Sequence, residues 1–156
     1  MGKARPFAEI DKYLSSSSLV VGEDVLGLGF VTDEEVDSLT RSARLVVSTS
    51  LYEAGCGPAL DAWQFGVPVA FSNIPPFAEQ LEALGVEAWV FDPKDPRDIA
   101  RVVSQALADQ ERSLAMAERS KQAIADHTWR QAGEGYLRIF EQALEHYRSS
   151  VGGDSP

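Results

Sequence analysis

The chain has little of what metal or redox chemistry requires: one cysteine and two histidines in 156 residues. Cys56 has no second cysteine with which to close an internal disulfide, and no Cys/His spacing matches a zinc site, so no structural metal is expected. Long hydrophobic runs are also missing. No stretch approaches the roughly 20 apolar residues of a membrane helix, and Met1 to Ile10 lacks the apolar core of a secretory signal, which predicts a cytoplasmic protein with no membrane insertion. Basic residues are scarce, 14 Lys and Arg against 24 Asp and Glu, a net charge of -10. The resulting field repels nucleic-acid backbones and anionic lipid, which removes both as expected partners. What is present is a core-forming composition, 44% hydrophobic, in a length that suits one domain better than two.

Apolar runs and helix signals alternate along the chain. A helical stretch from Ala8 to Leu14 gives way to Ser15–Ser18. Val25 to Val31, interrupted by Gly27 and Gly29, reads as a buried strand closely approached by another group. Thr32-Asp33-Glu34-Glu35 is a capping box, followed by Val36, Leu39 and Ala43 on one helical face. Leu45 to Ser50 is a β-branched run that reads as a central strand. Pro58 suits a first helical position, and Gly66 a left-handed stop. Val67 to Ser72 and Ala88 to Phe91 read as further strands, separated by a short helix that ends at Gly85. Asp95-Pro96 opens a helix with Ile99, Val102, Val103, Ala106 and Leu107 on its buried stripe. A second helix is expected near Glu111 to Asp126. Thr128-Trp129-Arg130-Gln131 is another capping box, which precedes a long helix bearing Tyr136, Ile139, Phe140, Ala143 and Tyr147. Trp63, Trp89 and Trp129 are expected in the core. This order predicts an α/β fold, a parallel Rossmann-like sheet with flanking helices, whose ligands sit beyond the carboxyl ends of the strands.

The loop Leu51-Tyr52-Glu53-Ala54-Gly55-Cys56-Gly57 leaves that edge of the sheet. Gly55, Cys56 and Gly57 stand just before a helix whose first amides lack intrahelical partners, an arrangement suited to a phosphate. Small residues allow an anion to reach the backbone. The plainer alternative is a tight loop that joins strand to helix. Glu53 and Asp61 can flank the same pocket, each carboxylate accepting hydrogen bonds from vicinal hydroxyls of a sugar or ribose. Alternatively, Asp61 complements the helix dipole and Glu53 is a solvated loop charge. Cys56 at a helix N-terminus has the setting of an activated thiol, but neither His127 nor His146 lies near it in sequence to act as its base.

The run from Leu28-Gly29-Phe30-Val31 through Ser72-Asn73-Ile74-Pro75 to Phe91-Asp92-Pro93 resembles the C-terminal, nucleotide-sugar-binding half of GT-B glycosyltransferases of the family 4, glycosyl transferase group 1, type. The resemblance extends from about Val25 to Tyr147. Its most specific segment, Glu53 to Asp61, is similar to the family's two glutamates separated by seven residues, with aspartate here in the second place. The resemblance implies retaining transfer from a nucleotide-activated sugar, with Glu53 as the catalytic carboxylate at the sugar hydroxyls. It places the amides of Gly55, Cys56 and Gly57 at the diphosphate, Asp61 at the ribose, and Phe30 and Val31 against the nucleobase. It implies no cofactor and no metal, the nucleotide sugar entering as substrate.

Two features of the family pattern are missing. There is no acceptor-binding lobe, and Met1 to Asp24 contains no Gly-Arg-x-x-x-x-Lys segment, its only bases being Lys3, Arg5 and Lys12. Residues 1–148 are therefore expected to form a donor-binding domain without its first strand-helix units, and residues 149–156 a flexible tail. An N-terminal lobe, or a second copy pairing along the strand edge that those units would cover, is the expected protein partner. A non-catalytic remnant or interaction module on the same fold is the alternative to a transferase.

Overall fold

The computed structural model describes residues 8–151, which divide into two compact units meeting between Val36 and Asp37. The first contains α1 (Ala8–Ser16), a turn closed by an isolated bridge between Val21 and Val25, and the start of α2 (Asp33–Ser42). The capping box forms as expected: Glu35 Oε2 accepts from the Thr32 amide at 2.7 Å, and Thr32 Oγ1 from the Glu35 amide at 3.3 Å. The expected strand from Val25 to Val31 does not form. Gly29 adopts φ +65°, which interrupts an extended ladder, and Leu26, Leu28 and Phe30 are all exposed, with no strand beside them among the described residues.

The second unit contains the sheet. Three parallel strands, β1 (Val46–Ser48), β2 (Val69–Ser72) and β3 (Trp89–Phe91), lie in that order, with Val46 opposite Val69 and Ala70 opposite Trp89. Between them run α3 (Gly57–Phe65) and α4 (Pro75–Leu84), and after them α5 (Pro96–Ala108), α6 (Gln110–Ala125) and α7 (Trp129–Val151). The expected punctuation marks these ends. Gly66 and Gly85 close α3 and α4 in the left-handed conformation, at φ 72° and 64°, which a Cβ would strain. Asp95 caps α5 by accepting from the Arg97 amide at 2.9 Å, and Thr128 and Gln131 cap α7 reciprocally. α7 runs on to Val151, so the start of the expected tail is helical; residues 152–156, and the side chain of Trp129, lie outside the described residues.

Alternation along the strands separates two cores. Val46, Val69 and Phe71 pack on one side with Trp63 and Ala59 of α3 and Phe77 of α4. Ala70, Trp89 and Phe91 pack on the other with Val102 and Ala106 of α5 and Met116 of α6. Trp63 is fully buried, its ring edge-on to Phe71, and its Nε1 donates to the Glu87 carbonyl at 2.9 Å. The Glu87 amide donates in turn to Ser120 Oγ at 2.8 Å. Trp89 is likewise buried, its Nε1 donating to Ser113 Oγ at 3.0 Å. The outer edge of β1 has no partner strand among the described residues, and Val47 there is 42% exposed.

Outside that core, Arg119 Nη2 donates to Glu87 Oε2 at 2.9 Å. This hydrogen bond holds the Glu87 carboxyl below the usual carboxylate range, against a smaller opposing effect of partial burial. A carboxylate with a depressed native pKa stabilises the fold above its unfolded pKa, and that contribution is lost as pH falls through the native value. Because both side chains are largely exposed, the contribution is at most about 1 kcal/mol. Arg119→Leu should therefore lower stability near neutral pH and flatten its decline from about pH 5 downward, read by urea unfolding across that range. Trp63→Ala should cost about 3–5 kcal/mol by the same measurement, and Trp63→Phe, which loses mainly the hydrogen bond, about 1–2 kcal/mol.

Candidate functional site

β1 ends at Ser48, and the chain turns through residues 49–56 into α3 at the carboxyl edge of the sheet. Ser72, fully buried at the end of β2, donates to the Ser48 carbonyl at 3.3 Å and ties the two strand ends together. The Asn73 amide continues the ladder to the Phe91 carbonyl at 2.7 Å. The loop therefore rises from a braced edge.

Within it, Glu53 is exposed, and Ser50 Oγ donates to Glu53 Oε1 at 2.9 Å, which fixes one carboxylate oxygen toward the loop. Cys56 occupies the N-cap position of α3 but makes no side-chain cap; its side chain is 3% exposed and belongs to the core with Ala59 and Trp63. A thiol so placed packs rather than reacts. Pro58 takes an early helical position, as expected. Asp61 lies half-buried on α3, one turn beyond Gly57.

Gly55 and Gly57 do not adopt positive φ, so glycine is not needed there for backbone conformation. A Cβ built on Gly57 would meet nothing within 4 Å, so the space before the helix is open. The three amides are also not equivalent. Cys56 donates its N–H to Gln80 Oε1 at 2.8 Å, and Gln80 Nε2 donates back to the Cys56 carbonyl at 3.4 Å. Among the described residues, the amides of Gly55 and Gly57 have no such partner.

Gln80 was not among the residues singled out from sequence. Its signal was a polar residue set three positions after the buried Phe77, on the side of α4 that also carries Leu81 and Leu84. Phe30 and Val31 belong to the first unit, in a stretch without strand structure, Phe30 exposed and Val31 half-buried. Of the early bases, Lys12 is exposed on α1, and Lys3 and Arg5 lie outside the described residues.

A cavity of about 320 Å³ lies elsewhere, at the amino edge of the sheet, lined by Arg41, Arg44, Phe65, Gly66, Leu107 and Leu114 among others. The guanidinium of Arg41 sits 3.6 Å from the Phe65 ring centre, and Arg44 Nη2 donates to the Leu107 carbonyl at 3.4 Å. Both cations thus already serve local contacts. The chemistry expected of a parallel sheet belongs to the opposite edge.

Among the described residues no group of three or more acidic, histidine or cysteine side chains is arranged to hold a metal ion, and no helix is long and apolar enough to cross a membrane. Comparison with known proteins places this geometry. The chain is 33% identical over 122 residues to the serotype-specific mannosyltransferase WbdA of Escherichia coli, an alignment covering 75% of this chain and 14% of that protein. It is 30% identical over 128 residues to an uncharacterized glycosyltransferase of Methanocaldococcus jannaschii, covering 81% of this chain and 33% of that one. The chain thus spans well under half the length of these relatives. Among solved structures, sucrose-phosphate synthase from Thermosynechococcus elongatus superposes with a TM-score of 0.69 at 22% identity, over 86% of this chain and 34% of that one, which gives the fold as the Rossmann-like α/β fold of GT-B glycosyltransferases. The model of the family described as Glycosyl transferases group 1 matches residues 11–123, and with that span the chain belongs to this family.

Proposed function

We propose that this domain binds the nucleotide-activated sugar from which a glycosyl group is transferred with net retention. The observation that carries the reading is the open approach to the Gly57 end of α3, on a braced strand edge, with the Gly55 and Gly57 amides unengaged. A diphosphate there is held by N–H groups and by the positive end of the helix, and the same groups stabilise the charge that grows on the leaving diphosphate as the glycosyl bond breaks. The Gly55-Cys56-Gly57 segment supplies this cradle, with the Cys56 peptide between the two glycine amides. Glu53 accepts from the hydroxyls of the transferred sugar, its second oxygen remaining beyond the Ser50 contact. Asp61 serves the ribose and Phe30 and Val31 the nucleobase. Several relatives are named as mannosyltransferases, which makes a mannosyl donor the first to test.

The acceptor is held by a lobe outside these 156 residues, so the chain alone binds donor without transferring it, in a cytoplasmic setting where nucleotide sugars are made. Binding is weak, because no guanidinium or ammonium lies in the loop and the protein carries a net charge of -10. The alternative, an interaction module, draws support from the outer edge of β1, whose free backbone groups can pair with a second copy or with that lobe. Light scattering at high concentration should show self-association, and a strictly monomeric species would count against pairing between copies.

Titration of the isotope-labelled chain with UDP, GDP and ADP, followed by NMR, should perturb the amides of Gly55 and Gly57; silence at saturating nucleotide rejects the donor-site assignment. Gly57→Ala should leave unfolding stability within about 1 kcal/mol, because its Cβ enters open space at an ordinary backbone angle, yet weaken nucleoside diphosphate binding at least tenfold. Glu53→Ala should leave nucleoside diphosphate affinity unchanged and abolish any gain from an attached mannosyl group, measured by comparing GDP with GDP-mannose.

A further inference from the structure

Gln80 lies on α4, beyond the second strand, yet its carboxamide reaches back to the loop after the first. It meets both backbone polar groups of one residue, accepting from the Cys56 N–H at 2.8 Å and donating to the Cys56 C=O at 3.4 Å, and so engages two successive peptides, Gly55–Cys56 and Cys56–Gly57. That carbonyl is also the first acceptor of α3, receiving the Leu60 amide at 3.3 Å. The neighbouring Gly55 backs onto the same side chain, a Cβ there falling 3.8 Å from Gln80 Oε1. Gln80 is half-buried, and the Cys56 side chain is anchored in the core below. Cys56 is therefore fixed at its nitrogen, its oxygen and its side chain, which holds the peptides on either side of it, including the one that carries the Gly57 N–H, and the flanking glycines have no side chains of their own to hold them.

We propose that Gln80 is the positioning residue of the donor site, setting the direction of the Gly55 and Gly57 amides before any ligand arrives. This inference rests on the donor-binding reading above. Two glycines in sequence around one residue would otherwise sample many orientations, and ordering them on binding would cost affinity. A carboxamide suits this task because it supplies one acceptor and one donor in a plane, matching the N–H and C=O of a single extended residue, and adds no charge beside a diphosphate. A carboxylate of the same length keeps the acceptor, loses the donor and brings a repelling charge. Gln80 touches the loop and not the reacting atoms, so its effect on ligand passes entirely through the backbone of residues 55–57.

The test uses the full chain and Gln80→Met, which keeps the length and most of the packing of the side chain. In the absence of ligand, hydrogen exchange at the Cys56 amide should accelerate at least tenfold. Affinity for GDP should fall at least tenfold, while the NMR shifts produced by guanosine, which has no phosphate, should be unchanged. A residue that merely supported the fold would weaken both ligands alike, and that result would overturn the inference. Should Gln80→Met bind GDP as the unaltered chain does, with Gly55 and Gly57 perturbed in both, the positioning role fails and the donor site stands. If the unaltered chain shows no perturbation with GDP, UDP or ADP, both fail together. Should Gln80→Met not fold, Gln80→Glu carries the same comparison, and undiminished GDP affinity in that variant overturns the inference.

Discussion

Burying an indole completely requires somewhere for its N–H to go, and the fold is organised around the solution found for Trp63. The ring fills the space between α3 and the sheet, while its nitrogen donates to the Glu87 carbonyl just before β3. Without that acceptor the buried donor would cost about 1–3 kcal/mol. The same Glu87 residue gives its amide to Ser120 and its carboxylate to Arg119, so one residue joins α3, α6 and the approach to the third strand. The last turn of α3 is thereby fixed. Its amino end faces the loop carrying the polar chemistry.

The two edges of the sheet divide their work accordingly. At the amino edge, Arg41 and Arg44 contact an aromatic ring and a helix-terminal carbonyl, and both line the cavity there. At the carboxyl edge the strand ends are cross-braced by Ser72. At that edge the start of α3 presents backbone dipoles, and residues 49–56 include no lysine or arginine.

Most of the second unit was legible in the sequence, because each boundary there carries a local chemical reason. Proline at early helical positions, glycine with positive φ at Gly66 and Gly85, and the caps at Asp95 and Thr128 are effects of near neighbours, and near neighbours are what a sequence displays. Strand limits shifted by one or two residues, since pairing ends where the partner ends. The segment from Val25 to Val31 misled because an apolar run indicates burial only if something is there to bury it, and Gly29 turns the chain away. In the loop, the pattern from Glu53 to Asp61 does not display which backbone amides are already engaged. That Cys56 gives its amide to Gln80 depends on α4 folding over the loop, a contact across 24 positions that no spacing rule anticipates. At Gly57 a side chain would enter open space at an ordinary backbone angle.

The sheet contains parallel pairs only, Val46 beside Val69 and Ala70 beside Trp89, each separated along the chain by a helix. No hairpin exists in it to form early and template the rest, so each ladder must wait until a crossover helix has already condensed against its neighbours. The order of events follows: β1 cannot pair with β2 until α3, which lies between them in the chain, has emerged and folded against the sheet.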